Sequence, residues 1–191
     1  MYSIYQDALL TPEPVVIAGY KIGQLTIAQS ACLWAMEDPF IFSVKGDLAQ
    51  FAICLIVLQK TYPFKNVTGW VKESMKIRKK LLKLKPVKLE EEKQLLVEYM
   101  KYHNKTHPRA YAPDKQNKTP TIPWQWNVVF SLRRYFREDD VVAWNYPLLK
   151  AMCYHSTICH SLGDDTLYNE MECDIRDKNL EKEENEEEEN K

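Results

Sequence analysis

Apolar residues along this chain recur at helical spacing, and the strict alternation that marks a half-buried strand is hard to find. Between Leu25 and Ala35, small and large apolar side chains fall three or four positions apart and define one helix face. Leu48–Leu58 is apolar on nearly every side, so it predicts a central helix that other helices must surround. At most a short extended piece is expected near Val15–Ala18, before the first helix.

Proline, glycine and acidic residues divide the rest of the chain into helical segments. Asp38-Pro39 ends the first helix, Asp47 is placed to cap the second, and Pro86 breaks the third. The helices are expected over Gln24–Glu37, Leu48–Lys60, Thr68–Lys85, Glu90–Tyr102, Pro123–Arg137, Val141–Asn145 and Leu148–Leu162. The predicted fold class is all-α, a single compact domain of about six helices.

Two polar segments frame this domain. The stretch 103–123 is rich in Pro, Asn and Lys, and it predicts a loop that is long for a compact domain. The glutamate-rich end of the chain has too few apolar residues to build a core, so it predicts a disordered acidic tail. The expected organisation is a helical domain over 1–168, followed by a tail over 169–191.

The net charge of −1 conceals two oppositely charged regions. Residues 170–191 hold 11 acidic and 4 basic side chains, whereas Lys60–Lys88 holds ten Lys or Arg and one acid, Glu73. A basic segment attracts nucleic acid, acidic lipid or acidic protein, although a lysine-rich helix can also simply be a solvated surface. The role of the acidic tail stays open.

Nucleic-acid binding would fall to the basic residues of the third helix, and the sequence leaves this as an alternative function. Because nearly all of them are Lys, which reads bases less well than Arg, any such binding is expected to be non-specific and salt-sensitive. The candidate residues are Lys72, Lys76, Arg78, Lys79, Lys80 and Lys83.

Five cysteines and no CxxC motif favour reduced thiols in a cytoplasmic setting. The segment CYHSTICH holds Cys153, His155, Cys159 and His160, but one tetrahedral metal could not collect all four from a helix, so no metal is expected. Only 5 of the 191 residues are glycine, which argues against Gly-rich phosphate-binding folds.

No sequence motif of a known catalytic site occurs, so we expect a protein that is not an enzyme and uses no cofactor. The start of the chain lacks the pattern of a signal peptide, and the longest apolar segment, Leu48–Leu58, is too short to span a bilayer. No membrane association is expected.

Tryptophan and tyrosine are the usual anchors of protein interfaces, and this chain has five Trp. Trp124 and Trp126 straddle the start of the fifth predicted helix and point to different faces of it. Together with Trp70 they are the candidate protein-binding residues, against the alternative that they lie in the core. Trp144 is expected in the core.

Two segments of the chain resemble a divergent group of small proteins from tailed-bacteriophage and prophage tail modules. The first is IGQLTIAQSACLWAMEDPF followed by DLAQFAICLIVLQKTY, a helix ending in a Pro-Phe turn and then an apolar helix after Asp47. The second runs from IPWQWNVVFSLRRYF to the end of CYHSTICHSLGDD. Trp144, Asn145, Pro147 and Leu148 carry the closest similarity, and the resemblance covers about half of the chain.

The resemblance implies a non-enzymatic phage assembly protein that binds another phage protein, namely a tail assembly chaperone for the tape-measure protein. The alternative that it implies is a structural component of the virion, a tail or neck protein. The expected location is the host cytoplasm, or the virion in the second case. The resemblance carries no catalytic residue over, and it leaves open the client, the helix topology and self-association into a homo-oligomer.

Overall fold

The computed structural model of this chain describes residues 13–41, 43–104 and 123–162. Most of the expected loop over 103–123 and the acidic tail over 169–191 lie outside these ranges. The described residues form a predominantly helical domain with one small hairpin, which confirms the predicted fold class.

The described helices follow the predicted order, with adjusted ends. In chain order they are α1 (Ile27–Ala35), α2 (Leu48–Leu58), α3 (Trp70–Leu81), α4 (Pro86–His103), α5 (Trp124–Phe136), α6 (Asp140–Trp144) and α7 (Leu148–Ser161). Short 3-10 turns at Pro39–Ile41 and Val67–Gly69 precede α2 and α3.

A two-stranded antiparallel hairpin, β1 (Val15–Ile17) and β2 (Tyr20–Ile22), corrects the expectation of a single extended piece. Ala18 and Gly19 form its turn with φ of 51° and 79°, the left-handed conformation that two-residue hairpins use. Three-residue strands are too short to show an alternating pattern, so the second strand left no signal in the sequence. Ile17 and Ile22 are fully buried on one side of it.

The helix α2 lies at the centre of the domain, as its apolar sequence predicts. It packs against α1, α3 and the Pro39–Ile41 turn, and its side chains from Phe51 to Val57 are buried except for the partly buried Ile53. Asp47 caps its first turn, because the Asp47 carboxylate accepts hydrogen bonds from the backbone N–H groups of Ala49 and Gln50. The predicted cap is confirmed.

Both the end of α3 and the start of α4 lie earlier in the chain than predicted. The helix α3 ends at Leu81 rather than Lys85, and α4 begins at Pro86 rather than Glu90. Lys85 is extended, with φ −63° and ψ 145°, because the ring of a following proline disfavours the helical conformation. The same ring suits the first position of a helix, so Pro86 both stops α3 and starts α4.

The connection between α6 and α7 ties the two halves of the domain together. The backbone N–H of Ile27 donates to the carbonyl of Tyr146 (3.2 Å), and that of Leu148 donates to the carbonyl of Leu25 (2.7 Å). Thr26 and Pro147 form a bridge between these two bonds. The start of α1 is thereby fixed against the start of α7, and α1 also packs against α2, α5 and α6.

Candidate protein-binding surface

A row of five aromatic side chains runs from the surface into the core. Neighbouring ring centroids lie 4.9 to 6.3 Å apart, which is contact distance for aromatic pairs. We call this set the aromatic row; in order it contains Trp126, Trp144, Tyr62, Phe64 and Trp70. Two of the three candidate tryptophans, Trp126 and Trp70, therefore belong to one continuous cluster.

The two ends of the aromatic row have opposite exposure. Trp126 is 54% exposed and stands nearly perpendicular to the ring of Trp144, at an interplanar angle of 86°. Trp70 is only 6% exposed, so it offers a partner almost no surface. Trp144 is buried, as expected, and Trp124 is half-buried against the core.

Other exposed apolar side chains lie on the same two helices as Trp126 and its neighbour Trp144. On α5, Phe130 is one helical turn further along and 60% exposed, and on α6 Val141 and Val142 are about half exposed. We call these four residues the α5–α6 face. Phe130 and the two valines were not among the residues predicted from the sequence. The four-residue spacing of Trp126 and Phe130, which places both on one face of a helix, could have indicated Phe130.

Arginines border the α5–α6 face. Arg133 binds the Asp140 carboxylate at 3.1 Å, which joins the start of α6 to the stripe of α5 that carries Trp126 and Phe130. The guanidinium of Arg134 lies 5.9 Å from the centre of the Phe130 ring and 5.6 Å from that of Tyr135. The result is an apolar centre with a charged rim, an arrangement that is typical of protein-binding surfaces.

Asn145 holds the buried part of the aromatic row in place. Its Oδ1 accepts from the backbone N–H of Tyr62 at 2.8 Å, and its Nδ2 donates to the Tyr62 carbonyl at 2.7 Å. Because Asn145 directly follows Trp144, this pair of bonds sets the contact between Trp144 and Tyr62. Trp126 therefore packs on Trp144, whose contact with Tyr62 is held by the hydrogen bonds of Asn145.

The six candidate nucleic-acid-binding residues are all exposed and lie on α3 or in the turn directly after it. Their spacing places Lys72, Lys76 and Lys79 on one stripe, opposite the buried face of the helix, and Lys83 continues this stripe beyond the helix end. Lys80 lies to one side, with its Nζ 5.4 Å from the centre of the Tyr20 ring. Glu73 is bound by Lys60 at 3.1 Å, so it does not neutralise the stripe.

A separate cluster joins α5 and α7. Ser131 Oγ lies 2.8 Å from His155 Nδ1, and Cys159 Sγ lies 3.6 Å from His155 Nε2. The sequence showed that His155 and Cys159 share a helix face, but only the packing of α5 against α7 adds Ser131. Within the described ranges, no group of three or more His, Cys, Asp or Glu side chains is arranged to hold a metal ion.

None of the helices in the described ranges combines the length and apolar character that a bilayer span requires.

No protein-family model matches the sequence, and no curated protein or solved structure is significantly similar to it.

Proposed function

We propose that this chain is a non-enzymatic phage assembly protein that binds another phage protein, and that it acts as a tail assembly chaperone for the tape-measure protein. The observation that carries the proposal is the half-exposed Trp126, held on buried Trp144, with further exposed apolar side chains on the same two helices. Exposed apolar surface bordered by charge is typical of sites that bind an amphipathic helix. The resemblance of two segments to tail-module proteins supplies the kind of client.

The proposed client segment is a helix that places apolar side chains against Trp126 and Phe130. Acidic residues at the edge of that helix would pair with the arginines beside the α5–α6 face. Such binding covers apolar surface that would otherwise drive a long helical protein to aggregate. The contact is expected to be reversible, because a chaperone must release its client during assembly.

The test is a pull-down of the tagged protein from its infected native host, with and without nuclease, analysed by mass spectrometry. We expect one very long, helix-rich phage protein whose recovery survives nuclease treatment. Trp126→Ala combined with Phe130→Ala should reduce that recovery at least about tenfold, since buried aromatic anchors carry most of the binding energy of an interface. Loss of every partner on nuclease treatment would contradict the proposal.

Leu82→Ala is the matched control for this experiment. Leu82 is 67% exposed and apolar like the residues of the α5–α6 face, but it follows α3 on another part of the surface. Its replacement should leave client recovery unchanged. Equal losses in both variants would mean that general apolar exposure, and not the α5–α6 face, captures the client.

The virion-component alternative differs in what happens after assembly. A chaperone leaves the finished particle, whereas a tail or neck protein stays in it at fixed copy number. Mass spectrometry of purified particles therefore separates the two functions. Stoichiometric presence of this chain would replace the chaperone proposal with the structural one.

The lysine stripe of α3 favours nucleic-acid binding as a second candidate. Four side chains, at positions 72, 76, 79 and 83, present positive charge on one exposed stripe. Retention on DNA or RNA should then fall steeply between low and high salt, because released counterions drive such binding. Replacing the four lysines by Gln should abolish retention, whereas the Trp126→Ala, Phe130→Ala variant should keep it.

A further inference from the structure

The contact between Ser131, His155 and Cys159 places a thiol, an imidazole and a hydroxyl in sequence. His155 and Cys159 are one helical turn apart on α7, and Ser131 reaches the imidazole from α5. Nδ1 lies 2.8 Å from the hydroxyl, and the sulfur lies beside the ring, 3.6 Å from Nε2 and 4.0 Å from Nδ1. This order resembles the general arrangement of a nucleophile, a base and a group that orients the base.

The position of the single hydroxyl proton of Ser131 determines which imidazole nitrogen is protonated. Ser131 Oγ donates to the backbone carbonyl of Asn127 at 3.0 Å. Its oxygen is then the acceptor towards His155, so Nδ1 carries the imidazole proton. Nε2 is then the unprotonated nitrogen, and it is the ring nitrogen closer to Cys159 Sγ, so it is the one that can accept the proton of the thiol.

The other described cysteines are in surroundings that disfavour a thiolate. Burial raises the pKa of Cys153 to about 11, and it raises the pKa of fully buried Cys54 and half-buried Cys32 as well. Cys159 is half-buried like Cys32, and it has the imidazole beside it. These thiols are therefore internal references for the reactivity of Cys159.

We propose that Cys159 is a reactive thiol of this protein and that it exchanges with small-molecule disulfides, with His155 accepting the thiol proton. Nε2 takes the proton from Cys159, and Sγ attacks one sulfur of the disulfide. The sulfur–sulfur bond of the small molecule breaks as the new one to Cys159 forms. The departing thiolate takes the proton from the imidazolium, so the protein thiol is oxidised to a mixed disulfide and one small thiol is released.

The first test needs no substitution. The full chain is incubated with oxidised glutathione at neutral pH, and the rate of mixed-disulfide formation at each cysteine is followed by peptide mass spectrometry. Cys159 should react at least about tenfold faster than Cys32, because reaction rates follow the thiolate fraction at similar exposure. Cys173 is quantified separately. A Cys159 rate equal to or below that of Cys32 would overturn the proposal.

Two variants test the assigned roles. His155→Gln should lower the Cys159 rate about tenfold, to that of an ordinary thiol, without changing Cys32. Ser131 is a positioning residue, so Ser131→Ala should slow Cys159 and Ser131→Thr, which keeps the hydroxyl, should restore it. An unchanged rate in His155→Gln would contradict the role of the imidazole.

Cys54 reports whether each variant is still folded. Its side chain is fully buried, so it should resist oxidised glutathione in every folded variant. A variant in which Cys54 becomes reactive has lost its packing, and the comparison of Cys159 with Cys32 in the unchanged protein then decides the proposal alone.

Discussion

At the scale of single residues, the half-buried side chain of Asn145 makes three hydrogen bonds that connect separate parts of the fold. Its side chain forms both hydrogen bonds that a backbone peptide group would offer to Tyr62, and Nδ2 also donates to the carbonyl of Val141 at 2.9 Å. Asn145 thus joins the segment after α2 to the end of α6. Tyr62 is 83 positions away from it in sequence, whereas Val141 is one helical turn before it.

We expect Asn145→Ala to lower the free energy of unfolding by about 1–3 kcal/mol, because it leaves the Tyr62 backbone groups without these partners. Urea unfolding followed by tryptophan fluorescence measures the change. Asn127→Ala is the control, since Asn127 is exposed on α5. A loss for Asn145→Ala no larger than that of the control would mean that water replaces the lost bonds.

His103, the last residue of α4, is buried between aromatic rings. The ring centroids of Tyr99 and Tyr102 lie 4.5 and 5.1 Å from that of the imidazole. Burial lowers the pKa of His103 to about 4, because the charged form loses its hydration. The pKa of Asp38 shifts in the opposite direction. Burial raises the pKa of its carboxyl to about 6, although a hydrogen bond from the Phe40 N–H has a smaller, lowering effect.

Between pH 6.5 and about 4, the unfolded chain binds a proton at His103 that the folded protein does not. The contribution of His103 to stability is therefore fully present above pH 6.5 and is lost as the pH falls towards 4, by at most about 3 kcal/mol. His103→Phe should remove this dependence. The measurement is the difference in unfolding free energy between variant and unchanged protein at pH 7 and pH 4.5.

Asp38 is present in both proteins, so its contribution to the pH dependence cancels in this difference in unfolding free energy. That contribution has the opposite sign to the contribution of His103. Because its folded pKa is the higher one, Asp38 favours the folded state at low pH, and this effect fades as the pH rises through about 6. A constant difference between His103→Phe and the unchanged protein at both pH values would show that His103 is protonated equally in both states.

At the scale of elements, the start of α2 depends on a reciprocal cap. Asp47 accepts from the N–H groups of Ala49 and Gln50, and the Gln50 side chain accepts from the N–H of Asp47 at 2.8 Å. The central helix thus begins with its first backbone donors paired. Without this cap, α2 would begin with unpaired donors directly before its most apolar segment.

Asp47→Ala should destabilise the protein by about 1 kcal/mol, the usual effect of losing a helix N-cap. Thermal unfolding followed by circular dichroism measures the shift in Tm. Lys65→Ala serves as the control because its side chain is exposed and lies outside the helices. A Tm equal to that of the control would indicate that another group caps α2 in the variant.

At the scale of the whole molecule, one apolar core joins the hairpin and the helices. Its centre is α2, which supplies the largest run of fully buried side chains. Since every described element except the Val67–Gly69 turn contributes side chains to this core, a cavity at its centre should weaken the domain as one unit.

Leu55→Ala should lower the free energy of unfolding by about 2–5 kcal/mol, because Leu55 is fully buried and its loss leaves a cavity. Leu82→Ala, at a site 67% exposed, should change it by less than about 0.5 kcal/mol. Urea unfolding should show one transition by fluorescence and by circular dichroism. Similar effects of the two substitutions would mean that α2 is not the centre of the core.

The helical order could be derived from the chain because it depends on local physics. The periodicity of apolar residues gave the helices, and Asp47 and the prolines gave several of their ends. The hairpin was missed because three-residue strands are too short to alternate visibly. The end of α3 and the start of α4 were misplaced because Pro86 acts on both of its neighbours, and the sequence prediction weighted only its role as a breaker.

The candidate site was predictable only in part. Tryptophan content pointed to Trp126, Trp124 and Trp70 together, since the sequence gives residue type but not depth. The packing of α5 against its neighbours leaves Trp126 exposed and covers half of Trp124, whereas Trp70, on α3, is buried in the core. Phe130, Val141 and Val142 joined the α5–α6 face because α6 folds back along α5.

The sequence by itself determined the helical class, the apolar central helix and the separation of a basic segment from an acidic end, because these follow from composition and from spacing along the chain. Tertiary structure alone decided which aromatic residues face solvent, that Asn145 holds Tyr62, and that Ser131 meets His155. Those contacts join residues 24 to 83 positions apart. No local pattern encodes them, because they arise only when the helices pack.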